Sequence, residues 1–103
     1  MPNDVIDTSA TPQTTPLRQT VTIVNQLGLH ARAATKLVQL CQTFKARIEL
    51  QQDGRSADAS SVLALLMLAS SKGKTVDVIC QGEDAQAALT AVVTLINAGF
   101  DEE

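Results

Sequence analysis

Two apolar periodicities alternate along this chain, and few folds accept that alternation. Val21 and Ile23 recur every second residue, as do Ala46, Ile48 and Leu50, and then Val76, Val78 and Cys80. Period two puts side chains on one face of a strand. Between these runs, Ala34, Leu37, Val38 and Cys41 fall at i, i+3, i+4 and i+7, one face of a helix. Ala85, Ala88, Leu89, Val92 and Ile96 form a second such face. Asp53-Gly54 is a two-residue hairpin signal and predicts a short strand over Arg55–Asp58. The predicted order is β-α-β-β-α-β-α, with a first strand over 19–24 and a first helix ending near Thr43-Phe44. That order makes an α+β domain of one sheet and one helix layer.

The first strand-to-helix junction, Asn25-Gln-Leu-Gly-Leu-His-Ala-Arg-Ala33, holds the only histidine, His30. Gly28 can take the positive φ that a turn out of the strand needs. His30 then sits at or beside the N-cap, with Ala31, Arg32 and Ala33 in the first turn. The first N–H groups of a helix lack partners and carry partial positive charge, so they can hold an anion. Arg32 adds a permanent cation with forked donors suited to phosphate. A histidine here could carry a phosphoryl group on a ring nitrogen. Neutral imidazole is the nucleophile, and imidazole titrates near about 6.5. On spacing alone, a lone histidine at a helix start is more often a solvated loop residue.

The helix expected over Val62-Leu-Ala-Leu-Leu-Met-Leu-Ala69 is short and apolar nearly all round, with Ser60-Ser61 offering N-cap hydroxyls. A two-layer domain buries one side of such a helix, so Val62, Leu63 and Leu66 are candidates for a docking surface. A fully buried helix is the alternative. Ser70–Lys74 is the next loop. Gly82-Glu-Asp opens the last helix, where acids suit the positive end, and Gly99 is placed as its C′ residue. Phe100 is expected to tuck back, and Asp101-Glu102-Glu103 to be a solvated tail.

With 103 residues there is room for one domain. Residues 1–17, rich in Thr, Pro, Asp and Ser, cannot bury enough to offset ordering entropy and form an expected disordered tail. The domain is then 18–103. No apolar run approaches a membrane span, and no basic residue precedes Arg18, so a signal peptide is not expected. A cytoplasmic protein follows. Cys41 and Cys80 fit no metal or redox spacing and are expected to be reduced and buried. No metal or cofactor is called for. Between Thr8 and Ile48 there are five bases (Arg18, Arg32, Lys36, Lys45, Arg47) and no acid, while nine acids and three bases follow from Glu49. The basic half carries His30, which suits a phosphate donor or an acidic partner. A net charge of −3 and no stacking aromatics disfavour nucleic acid. One histidine with no evident acid–base pair argues against a stand-alone enzyme.

Gly28-Leu-His-Ala-Arg32, the Ser61-headed helix, and Gly82-Glu-Asp before a long last helix resemble the HPr family of phosphocarriers, in register from about Arg18 to Glu103. Ser61–Leu68 and Asn97–Glu102 look most like the family's nitrogen-related branch rather than its sugar-transport branch. The resemblance implies an open-faced sandwich of four antiparallel strands covered by three helices. It implies that His30 accepts phosphate on Nδ1 from an enzyme I homologue, charged from phosphoenolpyruvate, and passes it to an enzyme IIA-type protein. The backbone N–H groups of Ala31 and Arg32, with the Arg32 guanidinium, would steady the phosphoryl oxygens. Docking would use the first helix, including Lys36, and the Ser61 helix, with the protein acting as a monomer. Ala33 stands where the family usually has proline, a change worth at most about 1 kcal/mol. The serine matching Ser61 is phosphorylated in some members, and a plain N-cap is the simpler expectation here. A regulatory binding module that acts by contact alone is the competing function.

Overall fold

The computed structural model describes residues 15–102, so most of the expected tail, and Glu103, lie outside the described residues. The elements are β1 (Leu17–Thr22), α1 (Ala31–Cys41), β2 (Arg47–Gln52), β3 (Arg55–Asp58), α2 (Val62–Leu68), β4 (Thr75–Gln81) and α3 (Ala85–Asn97), followed by a short 3-10 turn over Gly99–Asp101. This is the order predicted from the periodicities. The four strands form one antiparallel sheet in the order β1-β4-β2-β3.

The boundaries differ where hydrogen bonding overrides the apolar pattern. β1 starts at Leu17, paired with Cys80, and stops at Thr22. Ile23 leaves the ladder but stays fully buried, its N–H donating to Lys74 O and its carbonyl accepting from Gly73 N. α1 stops at Cys41 because the next turn tightens to i→i−3 bonds, Thr43 N to Leu40 O and Phe44 N to Cys41 O. Asp53 and Gly54 both have positive φ, 52° and 80°, as a two-residue hairpin of right-twisted strands requires.

All three helices cover one face of the sheet, and α1 packs against both α2 and α3. Leu37, Leu50, Leu65, Val76, Val78, Val92, Ile96 and Phe100 are among the large side chains that are fully buried. The opposite face is polar: Arg18 reaches Asp77 Oδ2 at 2.8 Å, and Thr20 donates to the same carboxylate. Those two hydrogen bonds, with the Arg18 charge, hold the Asp77 carboxyl below its ordinary range. Cys41 and Cys80 are buried free thiols, and burial pushes them up to about 12 and about 11 respectively.

α2 is only seven residues long, too short to be stable by propensity. Ser61 Oγ accepts from Ala64 N at 3.1 Å at its start. At its end, Leu68 O accepts from Arg55 Nη2 at 3.0 Å and Gln52 Nε2 at 3.2 Å. Ser61→Ala should therefore destabilise the domain by about 1 kcal/mol, read as a thermal midpoint roughly 4–8 °C lower. An unchanged midpoint would show that Arg55, Gln52 and packing hold α2 without its cap. Asp84 stands at the N-cap of α3, at the helix end where acids are expected, but makes no side-chain capping bond; its Oδ2 accepts from Lys45 N at 2.8 Å. It ties the α1–β2 loop to α3.

Candidate functional site

The loop between β1 and α1 is fixed from beneath before His30 is reached. Gly28 turns the chain at φ +65°, and its N–H and carbonyl bond to Asn25 O and Asn25 Nδ2 respectively. Leu29 N donates to Ser70 O at 2.9 Å, and the Leu29 side chain is buried. His30 follows as the N-cap of α1, in extended conformation (φ −81°, ψ −178°). Its carbonyl accepts from Ala34 N at 2.8 Å and its Nδ1 accepts from Arg32 N at 3.3 Å. Among the described residues, the N–H groups of Ala31 and Ala33 have no hydrogen-bond partner. Neither does the exposed Arg32 guanidinium. Open donors and a free fork thus surround one nitrogen of one imidazole.

The other nitrogen is occupied. His30 Nε2 is paired with Glu102 Oε2, and Glu102 Oε1 accepts from Asn25 Nδ2 at 3.2 Å. The two side chains are only 23% and 20% exposed, which corrects the expectation of a solvated tail at Glu102. Asp101 does face solvent, and Glu103 lies outside the described residues. The pair sets an acid against the histidine where the sequence shows no evident acid–base pair. The hydrogen bond from His30, then the one from Asn25 and the charges of His30 and Arg32, hold the Glu102 carboxyl below its ordinary range against a smaller desolvation penalty. The ionised form therefore favours the folded turn at pH above the unfolded carboxyl's pKa. That contribution fades as pH falls through the lowered value.

Glu102 reaches the site because the chain reverses after α3. Gly99, Phe100 and Asp101 have φ of +65°, +59° and +61°, three successive left-handed residues. Asp101 N donates to Ala98 O and Glu102 N to Gly99 O. Phe100 is 1% exposed, as the expected tuck requires, and Lys36 Nζ donates to Phe100 O at 3.0 Å. Lys36 is thus committed to this strap, and its 37% exposed side chain is less free to meet a partner than the sequence suggests.

The basic half of the sequence is likewise dispersed in space. Arg18 pairs with Asp77 on the open sheet face. Lys45 and Arg47 follow the far end of α1, about 16 Å along its axis from His30. Only Arg32 and Lys36 remain near the histidine. Beside them lies apolar surface: on α2, Leu63 (67%), Met67 (68%) and Leu66 (36%) are exposed, and Leu27 of the His30 loop is also open. Val62 is half-buried against the core, and Met67, which the sequence reading passed over, takes its place on the outer face.

No group of three or more His, Cys, Asp or Glu side chains among the described residues could hold a metal. No helix among them is long and apolar enough to cross a membrane. Residues 17–98 match the family model described as the PTS HPr component phosphorylation site. The phosphocarrier protein NPr of Shewanella violacea is 52% identical over 88 residues, covering 85% of this chain and 97% of that protein. Its namesake from Escherichia coli is 50% identical over 88 residues, covering 84% and 98%. The crystal structure of HPr-C-His from Thermoanaerobacter tengcongensis superposes with a TM-score of 0.81 at 34% identity, covering 84% of this chain and 98% of that one. An open-faced sandwich with a histidine at the N-cap of its first helix, matched over this span, places the chain in the HPr family. It is a phosphocarrier protein of the phosphotransferase system, with NPr proteins among its relatives at half identity.

Proposed function

We propose that His30 accepts a phosphoryl group on Nδ1 from the phosphohistidine of an enzyme I homologue and passes it to a histidine of an enzyme IIA-type protein, in the nitrogen-related branch. The observation that carries this reading is the hydrogen bond from Arg32 N to Nδ1. A nitrogen that accepts a hydrogen bond carries a lone pair, and this one points to the N-terminal end of α1. The lone pair attacks phosphorus as the donor's P–N bond breaks, so no proton need be exchanged. The oxygens then meet the unpaired N–H groups of Ala31 and Ala33, the Arg32 N–H released from Nδ1, and the Arg32 guanidinium. Because Ala33 replaces proline, its N–H is one more donor.

Partner docking falls to Leu63, Leu66 and Met67 beside the histidine, with Val62 and Lys36 contributing at the margin. The protein acts as a cytoplasmic monomer whose turnover its partners set. The nitrogen-branch assignment rests on relatives of that name, and a sugar-branch carrier is the alternative. The test is incubation with phosphoenolpyruvate and enzyme I of each branch, read by intact mass and phosphorus NMR. One acid-labile phosphate is expected, absent in His30→Ala, with faster loading by the nitrogen-branch donor. Unphosphorylated protein with both active donors would leave a module that works by contact alone.

A further inference from the structure

The Glu102 carboxylate has no part in phosphate binding, since its charge would repel the phosphoryl oxygens. Yet it is built into the site more firmly than Arg32. Its Oε2 meets His30 Nε2, its Oε1 is held by Asn25 Nδ2, and Asn25 is itself buried and anchored on Gly28 O. The turn that delivers it is pinned by buried Phe100 and by Lys36.

We propose that Glu102 is a positioning residue for phosphoryl transfer, which keeps the imidazole proton on Nε2 and balances the charge the ring acquires when Nδ1 is phosphorylated. The inference rests on His30 being the acceptor. An ionised carboxylate only accepts hydrogen bonds, so the pairing requires Nε2 to carry a proton, and the neutral ring then has its lone pair on Nδ1 alone. Attack by Nδ1 forms the new P–N bond while the donor's breaks, and the Nε2 proton stays in place. The product ring is cationic, and Glu102 lies directly against it. Onward transfer returns the electron pair to Nδ1 and the ring to neutrality. The same contact therefore stabilises the loaded carrier without touching the group it carries.

The test compares Glu102→Ala and Glu102→Gln with the full chain. Nitrogen NMR shifts of neutral His30 report the tautomer, and steady-state phosphorylation by enzyme I reports transfer. The native ring should be protonated at Nε2, and Glu102→Ala should give a mixture of tautomers. Glu102→Gln retains an acceptor and should retain the tautomer while losing the charge. Both variants should lower kcat about tenfold with KM unchanged, because Glu102 is not among the docking residues. Native-like tautomer and a kcat within about twofold of native in Glu102→Ala would overturn the proposal. Should no form of the protein accept phosphate, the acceptor reading fails, and the tautomer shifts still decide whether Glu102 sets the ring.

Discussion

Phe100→Ala is expected to destabilise the domain by about 3–5 kcal/mol, the usual cost of emptying a buried aromatic site. It is also expected to release Glu102 from His30. The left-handed turn explains the coupling. Phe100 and Asp101 each sit at positive φ, which costs a non-glycine residue about 1–2 kcal/mol. The turn's own hydrogen bonds return about 0.5–1.5 kcal/mol apiece, and burying the Phe100 ring contributes about 1.5–3 kcal/mol. Without the ring the balance turns against the reversed chain, while alanine keeps the unfavourable φ. Urea unfolding gives the loss in stability, and the NMR contact between the imidazole and Glu102 gives the release. A loss below about 1 kcal/mol, with that contact intact, would mean the turn is held by its polar bonds instead.

Gly28→Ala should be nearly as damaging, by about 3 kcal/mol or more, through two additive causes. One is the φ of +65°. The other is steric: a Cβ there would lie 2.6 Å from Ser70 O and 2.8 Å from Ser71 Cα, both backbone atoms. Relief requires moving Ser70 away, which breaks the Leu29 N to Ser70 O bond beneath His30. Gly54 provides the control, since its φ is +80° but a Cβ would meet nothing within 4 Å. Gly54→Ala should cost only the backbone term, about 1 kcal/mol. Equal losses in the two variants would refute the close approach at Gly28, and retained phosphorylation in Gly28→Ala would refute its support of the site.

Most of the fold was legible because its signals are local. Val76, Val78 and Cys80 alternate, Leu37 and Cys41 share a helical face, and Asp53-Gly54 names its own turn. His30 and Arg32 could be placed from the sequence for the same reason: the helix start, its unpaired N–H groups and the cation are all within three residues. Glu102 could not, since three acids after a C′ glycine carry no periodicity and resemble a tail. The one available signal was Phe100, a large apolar residue that must be buried and drags its neighbour inward. The charge pattern misled for the related reason that sequence halves are not spatial halves: Arg18 and Arg47 belong to the sheet, and only α1 points its first turn at the site. Lys36 looked like a docking cation because its acceptor, Phe100 O, lies on the far side of the chain.

The sheet order has a consequence for how the molecule comes into being. Among the described residues β1 is an edge strand that pairs with β4 alone, so residues 17–22 must wait for residues 75–81. At about 5–20 residues per second, synthesis leaves that first strand unpaired for several seconds. Closing so long a loop costs entropy before any contact repays it, which slows folding and leaves both strand edges open to mispairing. His30 emerges from the ribosome 72 residues ahead of Glu102. A nascent chain therefore exposes its histidine long before the ring can be set, and competence for transfer arrives with the closing turn.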